Sequence, residues 1–251
     1  AAANGLTAPS GFGNDLAGVV DEIGDGVTGF AIGDRVFGGA RGRAVAEHAV
    51  VDAAGLHHTP DGVDDTTAGA LQIAGRTADA AVTTAGVSAG DTVLIGGAAG
   101  GVGVLAVQLA RAAGATVIAT ASEDNHRMLR ELGAIPITYG DELVERVRAV
   151  APQGVDAAID LHGTDTVDAA AALGVPGERI ATIAAGPNPP HGAVATGGNA
   201  APADALERVA QGLADGSLSL PIMATFPIDR IDEAVALLRT GHASGKIVIT
   251  I

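Results

Sequence analysis

The sequence predicts an α/β protein: a doubly wound parallel sheet joined to a smaller, partial β-domain. Three observations predict it. Between residues 64 and 184, short apolar runs alternate with Ala-rich segments of helical spacing, as expected for parallel strands joined by right-handed helical crossovers. At 96–103 a glycine-rich turn connects one such run to one such helix. The opening third instead carries short strands separated by glycine turns, the pattern of a small β-domain.

The elements follow in order. Residues 16–24 are strand-like and run into a Gly/Asp turn at 24–26; 34–38 form a second strand, and 44–51 alternate well enough for a third. The pattern then changes. Residues 66–85 predict a helix, with Ala70, Leu71, Ala74, Ala78 and Val82 at helical spacing. Strands at 93–95, 116–120, 157–161 and 179–184 alternate with helices at 101–113, 124–132, 141–149 and 166–173. The Gly/Pro/Asn-rich stretch 186–202 reads as a loop or domain crossing. Helices follow at 203–215 and 231–239, the second capped by Gly241, and 246–251 is a closing strand.

Composition sets the outer bounds. With 251 residues, 47% of them hydrophobic, the chain can build one large or two modest domains. It has no cysteine, which excludes a disulfide framework, a thiolate nucleophile and any Cys-ligated zinc. The seven histidines, at 48, 57, 58, 126, 162, 191 and 242, show no metal-ligand spacing; His57 and His58 read as surface loop residues. A formal charge of −15 argues against nucleic-acid binding, which needs basic surface. No apolar run approaches the ~20 residues of a membrane span. The chain is expected to be cytoplasmic, with neither membrane nor nucleic acid as partner. It opens on Ala1-Ala2-Ala3-Asn4-Gly5 without Met, and further sequence is expected ahead of residue 1.

The glycine turn carries the chemistry. Thr92-Val93-Leu94-Ile95 flows into Gly96-Gly97-Ala98-Ala99-Gly100-Gly101-Val102-Gly103 and then into a helix. Glycines at 100 and 103 let a backbone approach a pyrophosphate and let the helix pack on the strand. The helix N-terminus offers unpaired N–H groups and partial positive charge to phosphates. The turn therefore predicts dinucleotide binding, and with it redox chemistry. An Asp or Glu about 20 residues past the turn would bind an NAD ribose. Ala121 occupies that place; Ser122 can donate a hydrogen bond, and Arg127 or His126 can supply positive charge. This favours NADPH, against the adjacent Glu123, whose carboxylate would have to point away. In the competing reading, Ser122 caps the helix and Arg127 is an ordinary exposed residue.

These segments, in their order, resemble the medium-chain dehydrogenase/reductase superfamily, specifically its zinc-free quinone oxidoreductase (zeta-crystallin-like) branch. Asp15-Leu16-Ala17-Gly18-Val19-Val20 with Gly33-Asp34-Arg35-Val36 looks like the GroES-like domain signature. Ala74-Gly75-Arg76-Thr77-Ala78, the glycine turn, Ala121-Ser122-Glu123, Leu132-Gly133-Ala134 and Gly245-Lys246-Ile247-Val248 continue the likeness. The resemblance implies a GroES-like catalytic domain at 1–75, N-terminally incomplete, a Rossmann NADP-binding domain at 76–198, and a return to the catalytic domain at 199–251. It implies NADPH held by Thr77, Ala98, Gly100, Gly101, Val102, Gly103, Ser122, Arg127 and Tyr139. Thr77 would lie beside the nicotinamide ribose and Tyr139 near the adenosine phosphate; an ordinary helix Thr and a strand-end Tyr are the bland alternatives.

Catalytic residues are not identified; Asn14 and Thr77 are candidates for a substrate cleft between the domains, near the 186–198 loop. Without zinc, hydride delivery to a quinone or an α,β-unsaturated carbonyl is favoured over alcohol oxidation. The alternatives are a trans-acting enoyl reductase or tailoring enzyme, and a non-catalytic NADPH-binding sensor or structural protein. A homodimer is expected through a sheet edge at 179–184 or 192–198.

Overall fold

The computed structural model describes residues 11–241 and 243–251. Residues 1–10, with the opening Ala1–Gly5, and His242 therefore lie outside the described residues. In chain order the elements are β1 (Asp15–Val19), β2 (Arg35–Gly39), β3 (Leu56–His58), α1 (Asp65–Ala68), α2 (Gln72–Thr84), β4 (Thr92–Gly96), α3 (Gly103–Ala112), β5 (Thr116–Thr120), α4 (His126–Glu131) and β6 (Ile135–Ile137). Then come α5 (Leu143–Val150), β7 (Ala157–Asp160), α6 (Asp165–Ala172), β8 (Ile180–Thr182), β9 (Val194–Ala195), α7 (Ala205–Ala214), β10 (Ile222–Pro227), α8 (Ile231–Arg239) and β11 (Lys246–Thr250). The chain divides into two compact units, one of residues 1–73 with 206–251 and one of residues 74–205.

The first unit contains an antiparallel sheet in the order β1-β2-β3 and a parallel pair, β10 and β11, connected by α8. Its third strand is not the expected 44–51 but β3. Only the start of 44–51 pairs, with Val45 N donating to Phe12 O at 2.9 Å; Val50 is exposed. Alternation alone made the segment look like a strand, but β2 finds its partner at Leu56–His58, because pairing overrides propensity. His57 and His58 consequently sit in a strand and not on a loop. The His57 ring lies 5.6 Å from that of buried Phe37, and the His58 ring stacks on Phe30 at 4.9 Å.

The expected helix at 66–85 is two helices. A Cβ on Gly69 would stand 3.1 Å from Asp65 O and 3.3 Å from Ala17 N, so β1 passes close beside the break. Asp15 Oδ2 then accepts from Ile73 N at 3.1 Å, giving α2 its start.

The second unit is one parallel six-stranded sheet in the order β6-β5-β4-β7-β8-β9. Numbered from β4, this is 3-2-1-4-5-6, the doubly wound order whose strand sequence reverses between β4 and β7. Val93, Leu94, Ile95, Ile118, Ile159 and Ile180 are fully buried, as near-continuous apolar strands covered on both faces must be. Leu94, Ile118, Val147, Val167 and Ile180 share one cluster, which seats α5 and α6 on the sheet. The 186–202 stretch, expected to be loop, contributes β9, the outermost strand.

Candidate cofactor site

Ligands of doubly wound sheets bind outside the carboxyl ends of the strands, where the order reverses. In this unit that place lies beyond Gly96 of β4 and Asp160 of β7, which are register partners. The glycine-rich turn springs from Gly96. A Cβ on Gly96 would stand 1.9 Å from Thr166 Oγ1, so the start of α6 packs directly on the strand end. Gly97 turns the chain at φ +68°, the left-handed region that glycine occupies without strain. Ala98 N donates to Thr120 O at 3.2 Å, tying the turn to the end of β5.

Gly100 and Gly103 then part company. A Cβ on Gly103 would meet Gly97 O at 2.3 Å and Ala98 C at 2.6 Å, so α3 lies against its own turn. A Cβ on Gly100 would find nothing nearer than Gly97 O at 3.5 Å, an ordinary contact. The protein's own packing thus requires glycine at 103 and not at 100. Gly100, Gly101 and Val102 are partly exposed, while Ala98 and Gly103 are buried. Together they lead into the first turn of α3, where Val104 N donates to Gly100 O and Ala106 N to Val102 O at 3.0 Å each, and no side chain caps the helix.

At the end of β5, Ala121 is buried and places no carboxylate where a ribose would lie. Ser122 stands at φ −65°, ψ 154° before a 3-10 turn at Glu123–Asn125, yet its side chain makes no capping bond to the backbone. Its Oγ accepts from Asn125 Nδ2 at 3.0 Å, which leaves the hydroxyl hydrogen to donate elsewhere. His126 Nε2 lies 3.3 Å from Ala121 O. The Arg127 side chain is 90% exposed, 3.9 Å from Glu131.

Tyr139, also exposed, follows β6 on a loop that Arg146 of α5 clamps. The guanidinium donates to Thr138 O at 3.0 Å, to Tyr139 O and Gly140 O at 3.2 Å each, and to Asp141 O. Thr77 is buried in α2; a Cβ on Gly198 would come within 3.4 Å of its Oγ1, so the 198–200 segment packs on it. Asn14 belongs to the other unit, where its Oδ1 accepts from Gly42 N at 3.0 Å and holds the turn after β2.

Sequence reasoning missed Asp160 and Thr182. Asp160 is fully buried and its Oδ2 accepts from Thr182 Oγ1 at 2.6 Å. Burial pushes the Asp160 carboxyl above its ordinary value, against the opposing effect of the Thr182 hydrogen bond. The available signal was an acidic residue closing the apolar run Ala157-Ala158-Ile159. Among the described residues no group of three or more His, Asp or Glu side chains could hold a metal ion.

The alcohol dehydrogenase GroES-like domain family matches residues 2–61, and the zinc-binding dehydrogenase family matches residues 101–206. Erythronolide synthase EryA2 of Saccharopolyspora erythraea is 51% identical over 122 residues, 48% of this chain and 3% of that protein. The chloroplastic NADPH-dependent alkenal/one oxidoreductase of Arabidopsis thaliana is 31% identical over 252 residues, 94% of this chain and 63% of that one. The chain thus spans less than two thirds of the length of either relative. The solved structure of the quinone oxidoreductase from Coxiella burnetii, 31% identical, matches with a TM-score of 0.84 over 99% of this chain and 81% of its own. In sequence, strand order and glycine turn alike, the chain belongs to the medium-chain dehydrogenase/reductase superfamily.

Proposed function

We propose that this chain is an NADPH-dependent oxidoreductase that reduces a quinone or an α,β-unsaturated carbonyl compound without zinc. The observation that carries the reading is the open space at Gly100, beside a Gly103 that packing has used up. A cradle that a methyl group would fill, at the N-terminus of α3, fits a pyrophosphate. Ala121 in place of an acid, with the Ser122 hydroxyl free to donate, fits a 2′-phosphate. Arg127 is long and exposed enough to add charge to it, and Tyr139 offers a ring near the adenosine. Thr77 would serve the nicotinamide ribose.

When bound, the nicotinamide supplies the hydride. The chain's own contribution is to hold and orient it and to exclude water. A quinone or enone takes the developing negative charge onto its own carbonyl oxygen, so the chemistry does not demand a metal. The chain also has no cysteine to serve as a thiolate ligand to zinc. The likeness to an alkenal/one oxidoreductase of Arabidopsis and a quinone oxidoreductase of Coxiella supports this substrate class. The erythronolide synthase match favours a second reading, reduction of an enoyl thioester in a biosynthetic pathway. We also propose a homodimer through the free edge of β9; β8 lies inside the sheet, so of the two segments considered only 192–198 offers an edge.

Titration with NADPH and NADH, followed by turnover with benzoquinone, but-3-en-2-one and crotonyl thioester, tests the reading. NADPH should bind at least about tenfold more tightly than NADH, a difference one charge-assisted contact can supply. Preference for NADH would overturn the 2′-phosphate assignment. Turnover confined to the thioester would establish the second reading, and binding without any turnover would make the protein a sensor.

A further inference from the structure

Three turns at the carboxyl edge of the second unit are joined by one chain of contacts. A Cβ on Gly97 would stand 3.1 Å from His162 Cβ, so the glycine turn after β4 abuts the turn after β7. His162 N donates to Asp160 Oδ1 at 3.4 Å, and Thr182 Oγ1 donates to Asp160 Oδ2 at 2.6 Å. Thr182 Oγ1 in turn accepts from Ala184 N at 3.1 Å and Ala185 N at 3.0 Å. Ile183 N donates to Asp160 O at 3.0 Å, closing the loop from the backbone side.

The direction of these bonds is fixed by counting. A threonine hydroxyl has one hydrogen and two lone pairs. Two amides fill the lone pairs, so the hydrogen goes to Asp160. The carboxyl is fully buried and Thr182 is 1% exposed, whereas Ala184 is exposed at the mouth of the sheet. Keeping a buried carboxyl is costly. The sheet does not need one for packing, since the rest of β7 is Ala157, Ala158 and Ile159. What the carboxyl does is shape the turn at 183–185.

A dinucleotide lies across a doubly wound sheet with one nucleotide on each half. The glycine turn and the end of β5 serve the adenine half, which leaves the ends of β7 and β8 to the other. We infer that Asp160 and Thr182 are positioning residues that fix the 183–185 turn as the wall for the nicotinamide half of the cofactor and couple it to the glycine turn. The inference rests on the cofactor reading given above.

The test compares NADPH with adenosine 2′,5′-bisphosphate, which carries only the adenine half, on T182V, T182S and D160N by calorimetry. Amide hydrogen exchange at Ala184 and Ala185 is read alongside, since it requires no ligand. T182V should lose about tenfold in NADPH affinity, the factor one hydrogen bond is worth, and hold the bisphosphate within about twofold. Exchange at both amides should accelerate, and T182S should restore exchange and affinity together. D160N leaves an acceptor for Thr182 but faces an amide donor to His162 N, and should show the same split; it replaces T182V should that variant not fold. Equal weakening of both ligands, or faster exchange with unchanged NADPH affinity, would overturn the positioning role. Wild-type protein that binds neither ligand would overturn the cofactor reading and this inference together, whereas wild-type binding with no split in the variants would overturn this inference alone.

Discussion

Gly100 and Gly103 are expected to fail differently when given a methyl group. In G103A the new carbon meets backbone at 2.3–2.6 Å, which cannot move without shifting α3. A loss of about 3 kcal/mol is expected in denaturant unfolding, the upper range for overpacking. In G100A the nearest neighbour is at 3.5 Å and φ lies outside the left-handed range. Stability should stay within about 1 kcal/mol of wild type, while NADPH affinity should fall at least about tenfold in the same titration. Equal stability losses would show that both glycines serve the fold alone. The two positions were legible in the sequence because strand, turn and helix are contiguous there. Asp160 was not, because its partner Thr182 is 22 residues away and only the sheet brings them together.

At the scale of elements, Arg179 gathers three loops at the amino edge of the sheet. It donates to Gly86 O at 3.0 Å, to Asp156 O at 3.3 Å and to Asp91 Oδ2 at 2.7 Å. Burial works to raise the Asp91 carboxyl, but Arg179 and the Ser88 amide and hydroxyl outweigh it, so the group titrates below its ordinary value. The folded value therefore lies below the unfolded one. The stability it contributes is complete above the unfolded value, about pH 4, and is lost as pH falls through the folded value. R179A should cost about 2 kcal/mol at pH 7 and flatten the acid limb of a melting-temperature profile. An unchanged limb would place the acid sensitivity elsewhere. The sheet of this unit was readable strand by strand from its apolar runs, since a doubly covered parallel strand leaves a continuous signal. The first unit was less so. β3 has three residues, too few for a period to show, and the 69–71 break depends on β1 passing Gly69, a contact no local pattern announces.

For the whole molecule, a formal charge of −15 meets a cofactor that is itself an anion. At low salt the summed field opposes encounter. Raising ionic strength from about 0.01 M to 0.15 M shortens the screening length from roughly 30 Å to 8 Å. The NADPH association rate should therefore rise with salt in stopped-flow measurements; a fall would mean that local charge at the phosphate turn dominates. Net charge and fold class were both open to reading from the sequence, but the clamp of Arg146 on residues 138–141 was not, since it spends one side chain on four carbonyls. That clamp has a spectroscopic consequence. The chain contains no tryptophan and one tyrosine, so its near-ultraviolet emission is the emission of Tyr139. One exposed ring on a pinned loop is a built-in fluorophore, and its quenching or polarisation reports on a single address without any label being attached.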